Sequence, residues 1–153
     1  MPVEIERKFL VKGNGWRQGQ GVRICQGYLN RDKKRTVRVR TVGEKAFLTV
    51  KGCVSGCVHT EYEYEIPVSH AQELLKICDG PVLEKIRYTV DVGGLQWEVD
   101  EFLGENDGLI VAEVELQNEN QGIDLPDWAG EEVTGDPRYY NSSLCARPYS
   151  KWC

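Results

Sequence analysis

Charged and apolar residues alternate strictly along most of this chain, and no other feature constrains its fold as tightly. A period of two sends successive side chains to opposite faces of a β-strand. In the first run, 3–11, Glu4, Glu6 and Lys8 share one face while Ile5, Arg7 and Phe9 share the other. The same division sets Arg38 and Arg40 against Val37 and Val39, and Thr49 and Lys51 against Leu48 and Val50. Glu61, Glu63 and Glu65 oppose Tyr62, Tyr64 and Ile66, while Lys85 and Arg87 oppose Ile86, Tyr88 and Val90. Glu98 and Asp100 oppose Trp97 and Val99; Glu113 and Glu115 oppose Ala112, Val114 and Leu116.

Strand-like runs fall at 3–11, 22–29, 35–42, 45–52, 59–67, 83–92, 95–102 and 109–117, which predicts eight antiparallel strands joined by short turns. Turn residues stand at Gly43-Glu44, between Gly52 and Gly56, and at Gly93-Gly94. The segment Val68–Cys78 carries a helical rhythm with Ser69 as its N-cap. Asp136-Pro137 reads as an N-cap followed by proline in the first turn, opening a C-terminal helix that runs to about Ala146.

A chain of 153 residues has room for one real core, and no linker or repeat divides it, so 1–153 is expected to be a single domain. Nineteen Lys and Arg against 24 Asp and Glu leave a net charge of −5, which disfavours a general nucleic-acid or acidic-membrane binder. No apolar segment reaches membrane-spanning length. The start, MPVEIERKFLV, is charged from its fourth residue and lacks a signal-peptide stretch, so the cytoplasm is the expected compartment. Six cysteines without a secretion signal are expected to be reduced, and Cys53 and Cys57 at C-x3-C spacing have no second pair to complete a zinc site.

Alternation alone is satisfied by an ordinary sheet with its apolar face inward and its charged face in water. The signs of the charges argue for something else. A solvated face mixes signs, because like charges opposite one another cost stability. Here each strand after the first carries one sign: Arg38/Arg40, Lys85/Arg87, Glu61/Glu63, Glu98/Asp100, Glu113/Glu115. A barrel whose charged faces converge on one lumen resolves this, with basic strands facing a polyanion and acidic strands facing divalent cations. The outward apolar faces then need cover, for which the candidates are the helix at Ala71–Leu75 and the segment from Trp128 through Tyr139–Leu144, with burial in a dimer as a further option.

The proposed lumen collects Lys8, Arg38, Arg40, Lys51, Lys85 and Arg87 as cations, and Glu4, Glu6, Glu61, Glu63, Glu98, Asp100, Glu113 and Glu115 as anions. Arginine forks and lysine point charges suit phosphate oxygens. Carboxylates suit Mg2+ or Mn2+. Together they fit a metal–polyphosphate complex. The only histidines are His59 and His70, so no Ser/His/Asp or Cys/His set competes, and nucleotide-binding glycine loops are absent. Arg7 and Glu84 fall on the outer face as structural residues, and Trp97 and Tyr88 as wall packing.

These residues resemble the CYTH superfamily of triphosphate tunnel metalloenzymes. The resemblance begins at Glu4-x-Glu6-x-Lys8 and continues through Gln26-Gly27-Tyr28-Leu29, Arg38-Val39-Arg40, Leu48-Thr49-Val50-Lys51 and Glu61-Tyr62-Glu63. It goes on through Glu84-Lys85-Ile86-Arg87-Tyr88, Trp97-Glu98-Val99-Asp100 and Glu113-Val114-Glu115, and ends in Gly130–Thr134 and Arg138-Tyr139-x-Asn141. It implies a closed eight-stranded antiparallel barrel with a few flanking helices. It also implies two Mg2+ or Mn2+ ions held by Glu4, Glu6, Asp100, Glu113 and Glu115, with phosphates gripped by Lys8, Arg38, Arg40, Lys51, Lys85 and Arg87. Glu61, Glu63 and Glu98 complete the tunnel. The implied substrate is a small polyphosphate, acted on by a monomer or homodimer. The short bacterial members most similar to this chain are inorganic triphosphatases. Within that reading Glu4 or Glu6 handles the attacking water, and Lys85 either assists at the reacting phosphate or serves as a plain clamp. The alternatives are an organic triphosphatase or adenylate cyclase, and a non-catalytic polyphosphate-binding module. One departure is His59, where relatives often carry an arginine.

Overall fold

A computed structural model of the chain describes residues 3–32, 34–55 and 58–152, with the side chains at 3, 4, 142, 145 and 146 outside that description. Every alternating run is a strand: β1 (Val3–Val11), β2 (Val22–Asn30), β3 (Arg35–Val42), β4 (Lys45–Ser55), β5 (Val58–Ile66), β6 (Leu83–Val92), β7 (Leu95–Phe102) and β8 (Ile110–Leu116). The strands pair antiparallel in the order β5-β4-β3-β2-β6-β7-β8-β1, and β1 pairs back onto β5, so the eight close into a barrel. The closing seam is short, matching Val3, Glu4 and Ile5 to Thr60, His59 and Val58. Past it, the same edge of β1 is taken by a ninth strand, β9 (Ala129–Glu132), at Phe9 and Val11. The sequence reading missed β9 because Ala-Gly-Glu-Glu is four residues long and has no two-faced pattern.

Three further expectations are corrected. β4 runs on to Ser55, past the Gly52 where a turn was expected, because Gly52 and Cys53 still find partners at Thr60 and His59; Gly56 and Cys57 lie outside the described residues. The first helix, α1 (Val68–Lys76), is capped by Pro67 with no side-chain bond, so Ser69 sits inside its first turn. The C-terminal helix is broken. Asp136 caps a 3-10 turn over Pro137–Tyr139, accepting from the Arg138 N–H, but Tyr140 is extended at ψ 135° and a separate α2 (Asn141–Ala146) follows.

The outer wall has two covers. Over β1, β6, β7 and β8, Trp16 and Trp128 from the connecting segments seal Phe9, Tyr88, Trp97, Val99 and Val114, with the Trp97 and Trp128 rings 5.4 Å apart edge to face. Over β3 and β4, α1 lays Ala71, Leu74 and Leu75 on Val39, Ala46 and Leu48. Chain leaving α1 presses so closely on β2 that a Cβ at Gly27 would stand 2.6 Å from the Cys78 sulfur.

Trp128 therefore does the covering expected of it, but Tyr139 and Leu144 do not. They pack with Tyr28, Leu83, Phe102 and Val111. Those residues pair across strands with Arg38, Gln26, Lys85 and Asp100, so they belong to the inner face. The C-terminal segment plugs one end of the lumen.

Candidate active site

A cavity of about 360 Å3 occupies the lumen. Its lining brings together all six expected cations, Lys8, Arg38, Arg40, Lys51, Lys85 and Arg87, and the carboxylates Glu6, Glu61, Glu98, Glu113 and Glu115. The remaining expected anions fall elsewhere. Glu63 and Asp100 are not among the lining residues but are bound to lining cations, and the Glu4 side chain lies outside the described residues. Alternation also puts Thr36, Gln96 and Tyr28 on the lining, neutral positions that a reading of charges passes over. Tyr140 and Asn141 come from the plug, for which strand periodicity carries no signal.

On β6 and β7, ion pairing is complete. Arg87 donates to both oxygens of its cross-strand partner Asp100, from Nε at 2.7 Å and Nη2 at 2.9 Å, and to Glu98 at 3.3 Å. Lys85 Nζ stands 2.7 Å from Asp100 Oδ2 and donates to Asn141 Oδ1 at 2.9 Å. Burial works against charge on Asp100, yet Arg87 and Lys85 hold its carboxyl well below the usual carboxylate range. Burial and the Arg87 charge pull Lys85 down to about 8 against the support of Asp100. Both oxygens of Asp100 are thus spent on side-chain cations. Here it stands as the counter-ion that Arg87 and Lys85 share.

On β3 the two arginines share a single carboxylate, Glu63. Arg40 reaches Glu63 at 3.3 Å, and Arg38 reaches Thr49 Oγ1 at 3.3 Å. The Nε groups of both arginines are shut away from water and have no acceptor among the described residues. Burial, then the neighbouring charges of Arg38 and Arg87, lower Arg40 to about 10. Two buried guanidinium groups with donors to spare make an anion seat.

The acidic lining fits hard divalent cations. Glu6 and Glu115 are direct cross-strand partners, as are Glu98 and Glu113, and such like-charge pairs are costly unless a cation lies among them. Among the described residues no three such ligands converge into a ready-made cage. Lys51 holds Glu6 at 3.5 Å and Glu61 at 3.9 Å, and Lys8 lies 3.6 Å from Glu113. Outside the barrel Arg7 grips Glu132 at 2.7 Å, and Arg23 pairs with Glu84, as expected of structural residues.

The chain is thus a closed antiparallel barrel with a charge-lined lumen stopped at one end. The CYTH domain profile matches residues 2–149, and the chain belongs to the CYTH family. It is 52% identical to an inorganic triphosphatase of Acetivibrio thermocellus over 154 residues, covering 99% of both chains. It is 37% identical to an inorganic triphosphatase of Nitrosomonas europaea over 146 residues, 93% of this chain and 96% of that one. The crystal structure of the inorganic triphosphatase NE1496 superimposes with a TM-score of 0.67 at 37% identity, covering 93% of each chain. Metal dependence is general among CYTH triphosphatases. No helix among the described residues is long and apolar enough to cross a membrane.

Proposed function

We propose that this protein is an inorganic triphosphatase that removes the terminal phosphate of tripolyphosphate inside the barrel. The observation that carries the reading is the pair Arg38 and Arg40, buried at the cavity with guanidinium donors unspent. Charged side chains dominate the described lining, with Tyr28, His59 and Tyr140 as its rings, which favours a grip on phosphate. The two curated relatives support the same substrate.

Arg38, Arg40, Lys51 and Lys8 bind and orient the chain of phosphates, with its reacting end toward the plug. Glu6, Glu113 and Glu115 would hold divalent metal, joined by Glu4 on the strength of the family pattern. When bound, the metal neutralises phosphate charge and acidifies water. Glu6 orients the water that attacks the terminal phosphorus in line. Lys85 and Arg87, fixed by Asp100, meet the charge spread over the equatorial oxygens. A Lys85 ammonium lowered to about 8 also stands ready to protonate the departing oxygen. Glu61, Glu63 and Glu98 hold the cations in place.

Phosphate release from tripolyphosphate, ATP, thiamine triphosphate and long-chain polyphosphate, each with Mg2+ and with Mn2+, tests the proposal. Tripolyphosphate is expected to give the highest kcat/KM. No phosphate release from it with either metal would overturn the reading, and a preference for ATP or thiamine triphosphate would transfer it to an organic substrate.

A further inference from the structure

The C-terminal plug turns three consecutive residues onto the lysines at the closed end of the lumen. The Tyr139 carbonyl accepts from Lys8 Nζ at 3.4 Å, the Tyr140 ring lies 5.3 Å from the same nitrogen, and Asn141 Oδ1 accepts from Lys85 Nζ at 2.9 Å. We propose that Asn141 is a positioning residue: it fixes the direction of the Lys85 ammonium, so the site is armed only while the plug is seated. This rests on the hydrolase reading above.

An ammonium has three N–H donors. Asp100 takes one at 2.7 Å and Asn141 a second at 2.9 Å, while the Phe102 ring lies 5.6 Å away on the same lysine. The third N–H has no acceptor among the described residues, and the space Lys85 borders is the cavity. The geometry explains why two acceptors are needed. With Asp100 alone, the ammonium still turns about its Nζ–oxygen line and the remaining donors sweep a cone. A second acceptor off that line stops the rotation and commits the third N–H to one direction. The orientation of the amide follows from chemistry, since an ammonium only donates and so must face the oxygen of Asn141.

The location of Asn141 gives the contact its reach. Asn141 is 56 residues from Lys85 in sequence and enters from the segment that caps the barrel, not from the wall. That segment is fastened to β1 just upstream. The Val133 N–H donates to the Lys8 carbonyl at 2.8 Å, and the Lys8 N–H donates to Thr134 Oγ1 at 3.0 Å. The extended Tyr140 that breaks the expected helix carries the chain from this strap to the cavity, where both Tyr140 and Asn141 line the wall.

The test replaces Asn141 with Leu, which keeps its size beside Leu144 and removes the acceptor. A second variant, Asn141→Ala, serves if the first does not fold, and Asn141→Asp restores an acceptor oxygen. With tripolyphosphate, kcat of Asn141→Leu or Asn141→Ala is expected to fall about 10- to 100-fold while KM stays within about threefold, as for an interaction used mainly in the transition state. Asn141→Asp is expected to recover most of the lost kcat. Lysine acetylation mapped by mass spectrometry, without substrate or turnover, gives an independent readout. Lys85 should label several-fold faster in the Leu or Ala variant and near the native rate in Asn141→Asp, with exposed Lys76 unchanged in all. A raised KM at native kcat, or Lys85 labelling at the native rate in both the Leu and Ala variants, would overturn the proposal. Absence of hydrolysis by the unsubstituted protein would instead overturn the assigned reaction, leaving the labelling to decide the role of Asn141.

Discussion

Arg87 and Arg40 occupy equivalent inward positions on strands separated only by β2, yet their electrostatic situations are opposite. Burial weighs on both. For Arg87 the cross-strand partner is Asp100, and the resulting fork raises its pKa further above the ordinary arginine value. For Arg40 the cross-strand partners are Gln26 and Phe47, and burial with two neighbouring cations lowers it to about 10. One wall gives Arg87 a two-point counter-ion, and the other leaves Arg38 and Arg40 to share the single carboxylate of Glu63. Strand register, which decides who sits opposite whom, sets the two arginines apart.

The largest expected effect comes from removing the internal counter-ion. Asp100→Asn leaves Arg87 and Lys85 buried beside each other, and such a loss typically costs about 3–5 kcal/mol. Denaturant unfolding at neutral pH measures it, and a cost below about 1 kcal/mol would break the contrast between the walls. The pH dependence has a definite sign. The folded pKa of Asp100 lies below its ordinary 3.8, so its stabilisation is complete above that value and fades as pH falls toward the folded pKa. Lys85, lowered from 10.5 to about 8, binds fewer protons folded than unfolded between those values, so stability gains as pH rises from about 8 to 10.5. Asp100→Asn should flatten the acid limb.

Arg40→Gln sharpens the comparison from the other side. A buried cation repelled by its neighbours contributes little to the fold, so unfolding free energy should change by less than about 1 kcal/mol in either direction. Tripolyphosphate binding, followed calorimetrically in metal-free buffer, should weaken about 100-fold, the scale of losing a two-point phosphate contact. A large destabilisation with native affinity would show that Arg40 serves the fold and not the ligand.

How much of this was legible in the sequence divides along the same line. A period of two is local, so the eight strands and the inward turn of Lys85, Arg87 and Glu113 could be read directly. Single-signed strands pointed to a shared lumen, because repulsion within each strand has to be relieved by something across from it. Asp100 shows where that reasoning stops. It shares a face with Glu98 and carries the same charge, and only the pairing of β6 with β7 sets it opposite Arg87 while Glu98 sits opposite Thr89. The plug was misread for a related reason. Tyr139 and Leu144 are apolar, and an apolar segment was assigned to the outer wall; the lumen, however, has its own apolar end at Leu83, Phe102 and Val111, and these close on the plug. Asn141 gave no periodic signal at all, since it enters from a short turn after an extended Tyr140.

The smallest effects are expected on the outer wall of β5, where the comparison between inner and outer faces is cleanest. Tyr62 and Tyr64 are 43% and 58% exposed, and they alternate with Glu61 and Glu63, which serve the lumen. Their cross-strand partners are Val50 and Leu48, and the cluster under α1 takes in Leu48 and Ile66 but neither tyrosine. Threonine, though smaller, shares the preference of tyrosine for strands. Tyr62→Thr and Tyr64→Thr should therefore shift unfolding by about 0.5 kcal/mol or less and leave kcat and KM for tripolyphosphate unchanged. A tenfold loss of activity from either would mean that the exposed wall transmits strain to Glu61 and Glu63 one residue away. The one-signed inner faces would then be held by the outer packing as much as by the ions between them.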